Sequence, residues 1–205
     1  MECDGDSPVR CGPCYQSIDM VFQSKNRSGR ALMPDLESIP DGVKWRLAAK
    51  LAAYLPALYE AAFREVAGGR YDEIEQDVWM ELSFLVTGIV DELSLPAGNA
   101  RELADSLRTV MTILFGPDYK SETLEFSDDR AVVLVKRCPL PERCLSAGTG
   151  DTPTFRRCMA LTLATIPHLN RKYSARFVRT MCTGDRRCEL KIHGGNPDEG
   201  VNKQK

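Results

Sequence analysis

The hydrophobic pattern of the chain repeats about every 3.6 residues up to Gly116-Pro117 and every second residue after it, and this change restricts the available folds. Upstream, Leu47, Leu51, Leu55, Leu58, Ala62 and Val66 recur at helical steps on one face, which predicts a core helix kinked near Pro56. Gly68-Gly69 ends it. Asp72 with Glu75 has the spacing of a capping box for a second helix, whose core face would carry Ile74, Val78, Leu82, Leu85, Ile89 and Leu93. A third helix is expected after Asn99, burying Leu103, Leu107, Val110, Met111 and Leu114.

Downstream, Lys120 to Phe126 and Ala131 to Arg137 read as strands joined by Ser127-Asp128-Asp129-Arg130. Thr154 to about Lys172 reads as a helix, followed by a second hairpin of Ala175 to Cys182 and Cys188 to Ile192 around Thr183-Gly184-Asp185. The class is therefore α+β: amino-terminal helices, then a ββαββ part with antiparallel hairpins packed on helices. The expected organisation is a polar, Cys-containing tail over 1–40 and a single domain over 41–192. That domain has a helical part, 41–116, and a ββαββ part, 117–192; a mobile tail covers 193–205.

Charge and composition exclude several function classes. With 27 Lys+Arg against 29 Asp+Glu, mixed along the sequence, there is no basic footprint for nucleic acid or an anionic membrane. The longest apolar stretch, Leu47 to Phe63, is broken by Lys50, Pro56 and Glu60 and fails as a membrane span. The start, MECDGDSPVRC, lacks the basic and apolar regions of a secretory signal, so a cytoplasmic protein is expected. Cysteine is the abnormal residue: eight in 205 exceeds ordinary usage but falls short of a disulfide-stapled scaffold.

Five cysteines fall in the ββαββ part: Cys138 after a strand, Cys144 in a loop, Cys158 on the helix, and Cys182 and Cys188 flanking the last turn. If Val178 and Leu190 face the core, strand alternation turns Cys182 and Cys188 the same way, and Cys158 shares the sheet-facing stripe of its helix. Converging thiols make a candidate site for zinc or an iron–sulfur cluster, because thiolates are polarizable and a tetrahedral site needs four of them. Cys138-Pro139 is compatible with an iron–sulfur ligand followed by proline. The alternative is five buried cysteines behaving as small hydrophobes. Cys11-Gly-Pro-Cys14 has the letters of a redox pair, with Cys3 nearby, but no βαβ unit surrounds it. His168 is a further candidate ligand, or a satisfied surface or core histidine. Asp185 most simply shapes its turn through local hydrogen bonds. The arginines from Arg156-Arg157 to Arg186-Arg187 could lower thiol pKa values or bind a carboxylate.

The run Arg179-Thr180-Met181-Cys182-Thr183-Gly184-Asp185-Arg186-Arg187-Cys188-Glu189-Leu190 resembles the carboxy-terminal signature of the 4-vinyl-reductase-like small-ligand-binding domains. It is also similar to the ending of the L-2-amino-thiazoline-4-carboxylate hydrolase-like proteins. The resemblance implies an α+β domain with a small-molecule pocket beside a cysteine-lined metal site. Zinc in the sensory relatives is held by a helical cysteine, a strand glutamate and two cysteines around the turn. Cys158, Cys182 and Cys188 match; Arg179 stands in place of the glutamate, which makes Cys138 or Cys144 the candidate fourth ligand.

The function expected from the sequence is therefore a cytoplasmic, cysteine-ligated metal or iron–sulfur protein with a small-molecule pocket, acting as sensor, carrier or redox accessory. The alternative is a hydrolase of cyclic amides or thiazolines, using a metal-bound water or a low-pKa thiolate. Whether the chain is an enzyme stays open. The amino-terminal helices could supply a homodimer interface as well as a core.

Overall fold

The computed structural model describes residues 35–127, 129–141 and 152–195. The chain divides into two units at Pro40 and Asp41. In the first, Leu36–Ser38 forms a 3-10 turn capped by the Asp35 carboxylate. In the second, α1 (Asp41–Ala67), α2 (Arg70–Glu92) and α3 (Ala100–Phe115) precede β1 (Lys120–Ser127) and β2 (Arg130–Arg137). Then come α4 (Thr152–Leu169), β3 (Tyr173–Arg179), a 3-10 turn at Met181–Thr183 and β4 (Cys188–Gly194). The strands form one antiparallel sheet in the order β1-β2-β4-β3, and the class is α+β as expected. The last strand runs two residues past its predicted end: His193 pairs with Arg130 and its ring nitrogen hydrogen-bonds Ser174.

The core forms where α3 and α4 meet the sheet. Leu103, Leu107 and Val110 of α3 pack with Val133, Leu190 and Ile192 of the strands and Leu161 and Ile166 of α4. Full burial of each large side chain contributes about 1.5–3 kcal/mol. The start of α3 is set locally. Asn99 Oδ1 accepts the Glu102 N–H at 2.9 Å, while Glu102 Oε2 accepts the Gly98 N–H at 2.6 Å. At its other end Gly116, at φ 83°, turns the chain where a Cβ would lie 2.6 Å from the Cβ of Ala49.

Both outer strands are irregular. The β1 register shifts between Lys120 and Ser121 and between Glu125 and Ser127, and the β3 register shifts between Phe177 and Arg179. Regular pairing from Tyr173 to Phe177 sets Ala175 and Phe177 opposite Ile192 and Leu190 and against the core, leaving Val178 exposed, so the predicted alternation of this strand is reversed.

The two amino-terminal helices depart most from the sequence reading. Helix α1 continues through Pro56 and buries Ala49, Ala53, Ala57 and Glu60, while the predicted core residues Leu47, Leu51, Leu58 and Val66 lie outside. Helix α2 buries Tyr71, Glu75, Trp79, Ser83, Val86 and Val90, with Ile74, Val78 and Leu85 exposed. Small side chains let α1 approach its neighbours closely, and the bulkier stripe is turned to solvent.

Candidate functional site

Three helices meet at a buried charged node. Arg157 of α4 reaches Glu75 of α2, Nε to Oε1 at 2.7 Å, and its Nη2 bonds Glu60 of α1. All three side chains are buried. Arg64 binds Glu60 at 2.9 Å and Asp72 at 2.6 Å, and Arg156 grips both oxygens of Asp72 at 2.5 and 2.7 Å. The hydrogen bond from Arg64, with that of Arg156 behind it, holds the Asp72 carboxyl below its usual range. Asp72 and Glu75 therefore act as ion-pair partners; the backbone of Gly69 begins α2 with no side-chain cap, which corrects the capping-box reading. Arg156 and Arg157 bind carboxylates, but those of this same chain.

Beside this node lies a groove between α1 and α2. Its cavity has a volume of about 520 Å³, walled by Pro56, Tyr59 and Phe63 of α1 and by Ile74, Val78 and Trp79 of α2. Leu114 and Phe115 close its α3 end, and Leu161 of α4 contributes to the wall. Glu75 is the charged side chain on the wall, and its carboxylate accepts the Tyr71 hydroxyl at 3.0 Å. Burial, then the bond to Glu75, pushes the Tyr71 phenol up to about 12, so it stays a neutral donor at physiological pH. The cavity is thus hydrocarbon-lined with one polar corner, the usual make-up of a small-molecule site. Sequence reasoning gave Glu60 and Tyr71 no role, Glu75 only a capping role, and Arg157 a place in a basic run that could bind a carboxylate. One signal was present: Glu60 follows Ala49, Ala53 and Ala57 at helical spacing, placing an acid on the small-residue stripe that packs inward.

The cysteines that are described are thiols. Cys138 follows β2, Cys158 lies on α4 and Cys188 opens β4. These three and the Tyr119 hydroxyl are close enough to disfavour one another's ionisation. Burial, then Cys188, pushes the Cys158 thiol up to about 12. Burial also raises Cys138, with Cys158 adding to it, and raises Cys188 against the opposing effect of the Met181 N–H that donates to its Sγ at 3.3 Å.

The metal and iron–sulfur expectation is overturned: among the described residues no group of three or more His, Cys, Asp or Glu is placed to hold a metal ion. The reason is partly topological. The β3 irregularity and the 3-10 turn that follows take Cys182 off the strand on which it would have faced the core. The buried thiols keep the raised pKa values given above. The arginines do not lower these pKa values. Cys144 and the pair Cys11 and Cys14, with Cys3, lie outside the described residues.

The thiol pKa values predict the alkaline behaviour of the fold. Cys158 stays protonated in the folded chain above the pH where it ionises unfolded. Its contribution is whole below about pH 9 and is lost as pH rises toward 12. Tyr71 acts in the same sense. Melting temperature should therefore fall on the alkaline side, and Cys158→Ser should flatten that fall; an unchanged alkaline limb would contradict the assignment.

The remaining candidates have local roles. His168 Nδ1 lies 2.8 Å from the Ser83 hydroxyl, and its ring stacks on Phe84, 4.4 Å between centroids. Ser83 is fully buried, so this pair ties α4 to α2. Asp185 Oδ2 accepts the Thr180 N–H at 2.9 Å and shapes the turn. Arg179 pairs across strands with Glu189 at 3.9 Å.

No family model matches the chain, and no curated protein matches it. Among solved structures, a trafficking protein particle complex subunit 3 from Naegleria fowleri, covalently bound to palmitic acid, is similar with a TM-score of 0.43. Its sequence is 10% identical, and the match covers 75% of this chain and 96% of that one. Among the described residues no helix is long and apolar enough to cross a membrane.

Proposed function

We propose that this chain binds a small, largely apolar molecule in the groove between α1 and α2. The observation that carries the reading is the cavity of about 520 Å³ with its aliphatic and aromatic walls and single polar corner at Tyr71 and Glu75. That volume falls within the roughly 300–1,000 Å³ typical of ligand pockets. The buried node holds the walls in place, since α1, α2 and α4 each contribute one of its charges. The small-ligand pocket implied by the resemblance to the 4-vinyl-reductase-like domains agrees in kind. A role as sensor or carrier fits a site that offers contact and one hydrogen-bonding corner.

The test is titration with Nile red, a neutral dye, followed by displacement with neutral alcohols of increasing chain length. Each added methylene should tighten binding by about fourfold, the equivalent of about 0.8 kcal/mol of burial. Leu114→Trp fills the α3 end of the cavity and should abolish dye binding while leaving the melting temperature near that of the unaltered chain. Equal dye binding in this variant would overturn the site; so would an affinity indifferent to chain length.

A further inference from the structure

We propose that the outward faces of α1 and α2 bind a second copy of this chain, laid antiparallel about a two-fold axis, and that this copy roofs the groove. The ligand-binding reading enters only through the roof; the interface stands on separate observations.

The first is the inversion of the amino-terminal helices. Leu51 is 60% exposed, Leu58 44% and Val66 85%, although with Leu55 and Ala62 they repeat at the three- and four-residue steps of a helix-packing seam. On α2, Ile74 and Val78, 49% and 60% exposed, continue the patch across the groove. This apolar repeat of α1 is thus left largely unburied within one chain.

The second is size. With Leu47, Leu85 and the groove rim, these side chains expose roughly 900 Å², against about 800 Å² per partner in a standard interface and 300–600 Å² for the largest apolar patch of a typical monomer.

The third is charge. Exposed Lys50 flanks the seam near the start of α1. Exposed Glu73, Asp77 and Glu81 flank it in the first half of α2. Because α1 turns back into α2 at Gly68-Gly69, Lys50 and these acids sit toward opposite ends of the helix pair, with exposed Glu92 and Arg70 placed oppositely at the same two ends. An antiparallel two-fold lays Lys50 of each copy over the α2 acids of the other, whereas a parallel arrangement would set like charges together. The patch is therefore complementary to itself, which singles out a second copy as occupant.

The fourth is continuity with the cavity. Tyr59, Phe63, Ile74 and Val78 line the groove and stand about half exposed at its mouth, so a copy seated on the seam would close it.

Sedimentation equilibrium of the full chain tests this. The expected result is twice the mass of one chain at micromolar concentration, with Leu51→Glu/Leu58→Glu weakening the dimer at least about a hundredfold, as two buried charges without partners require. Circular dichroism should show these exposed-site variants folded. Lys50→Glu and Asp77→Lys should each weaken the dimer roughly five- to tenfold, and mixing the two should restore it, because both cross-copy pairs are then of opposite sign. Restoration separates a specific antiparallel interface from general stickiness. A chain that stays monomeric at high concentration overturns the proposal, as does a dimer unaffected by the leucine changes or not rescued by mixing. If the copy roofs the groove, dye affinity should fall with dilution through the dimer transition. A dimer that binds no dye removes the pocket and leaves the interface; a monomer that binds dye tightly does the reverse.

Discussion

Replacing Arg157 by Met is expected to destabilise the fold by about 3–5 kcal/mol, because Glu60 and Glu75 would be left as buried carboxylates without the cation between them. The loss should appear as a lower denaturant midpoint at unchanged slope. Removing all three charges together, as Glu60→Leu/Glu75→Met/Arg157→Met, should cost far less than the single change, because no uncompensated charge then remains out of water. The contrast distinguishes the node's internal compensation from any net stabilisation by the ion pairs. A single-variant loss below about 1 kcal/mol would mean that water reaches these carboxylates. The triple variant should also change dye binding, since Glu75 supplies the charge at the polar corner of the groove.

Gly116→Ala is the second large effect, at about 2–4 kcal/mol. Two costs combine. At φ 83° and ψ −176° the backbone sits in a region open essentially to glycine alone, and the added methyl would meet Ala49 Cβ at 2.6 Å. Ala49 lies on the buried stripe of α1, so relief requires the helix to move, and the groove it borders with α3 would change shape. Gly88→Ala is the control. It lies inside α2, where an added methyl would meet nothing within 4 Å, and should stabilise by up to about 1 kcal/mol through helix propensity. Comparable losses at both positions would rule out the steric account of Gly116.

The order of elements was legible because each boundary carries its own chemistry. Asn99 and Glu102 cap α3, Gly116 ends it, and the switch of period marks the sheet. What periodicity cannot say is which partner an apolar stripe will meet. In α1 the leucine stripe and the alanine stripe both repeat helically, and the protein buries the alanines because close approach to the end of α3 at Gly116 needs small side chains. The node was hidden for another reason. Glu60, Glu75 and Arg157 lie on three different helices, and the sequence assigns Glu75 to a cap and Arg157 to a basic run without pairing either with Glu60. Cys138, Cys158 and Cys188 fall on the elements expected, whereas Cys182, read as the end of a strand, lies in the 3-10 turn beyond the shifted end of β3. Strand alternation carries positional information only while the pairing is regular.

The irregular outer strands have a consequence for how this protein can fail. An open sheet edge offers backbone donors and acceptors to any extended segment, which is how many sheets grow into fibrils. Here the shifts at both ends of β1 and beside Phe177 in β3 break the straight row that a new strand would need. Under stress, sheet extension is disfavoured at both edges, and clumping should begin at the leucines of α1 once the two copies part. Early aggregates should keep native β-sheet content and be suppressed by charged substitutions on that helix, without any change to the strands.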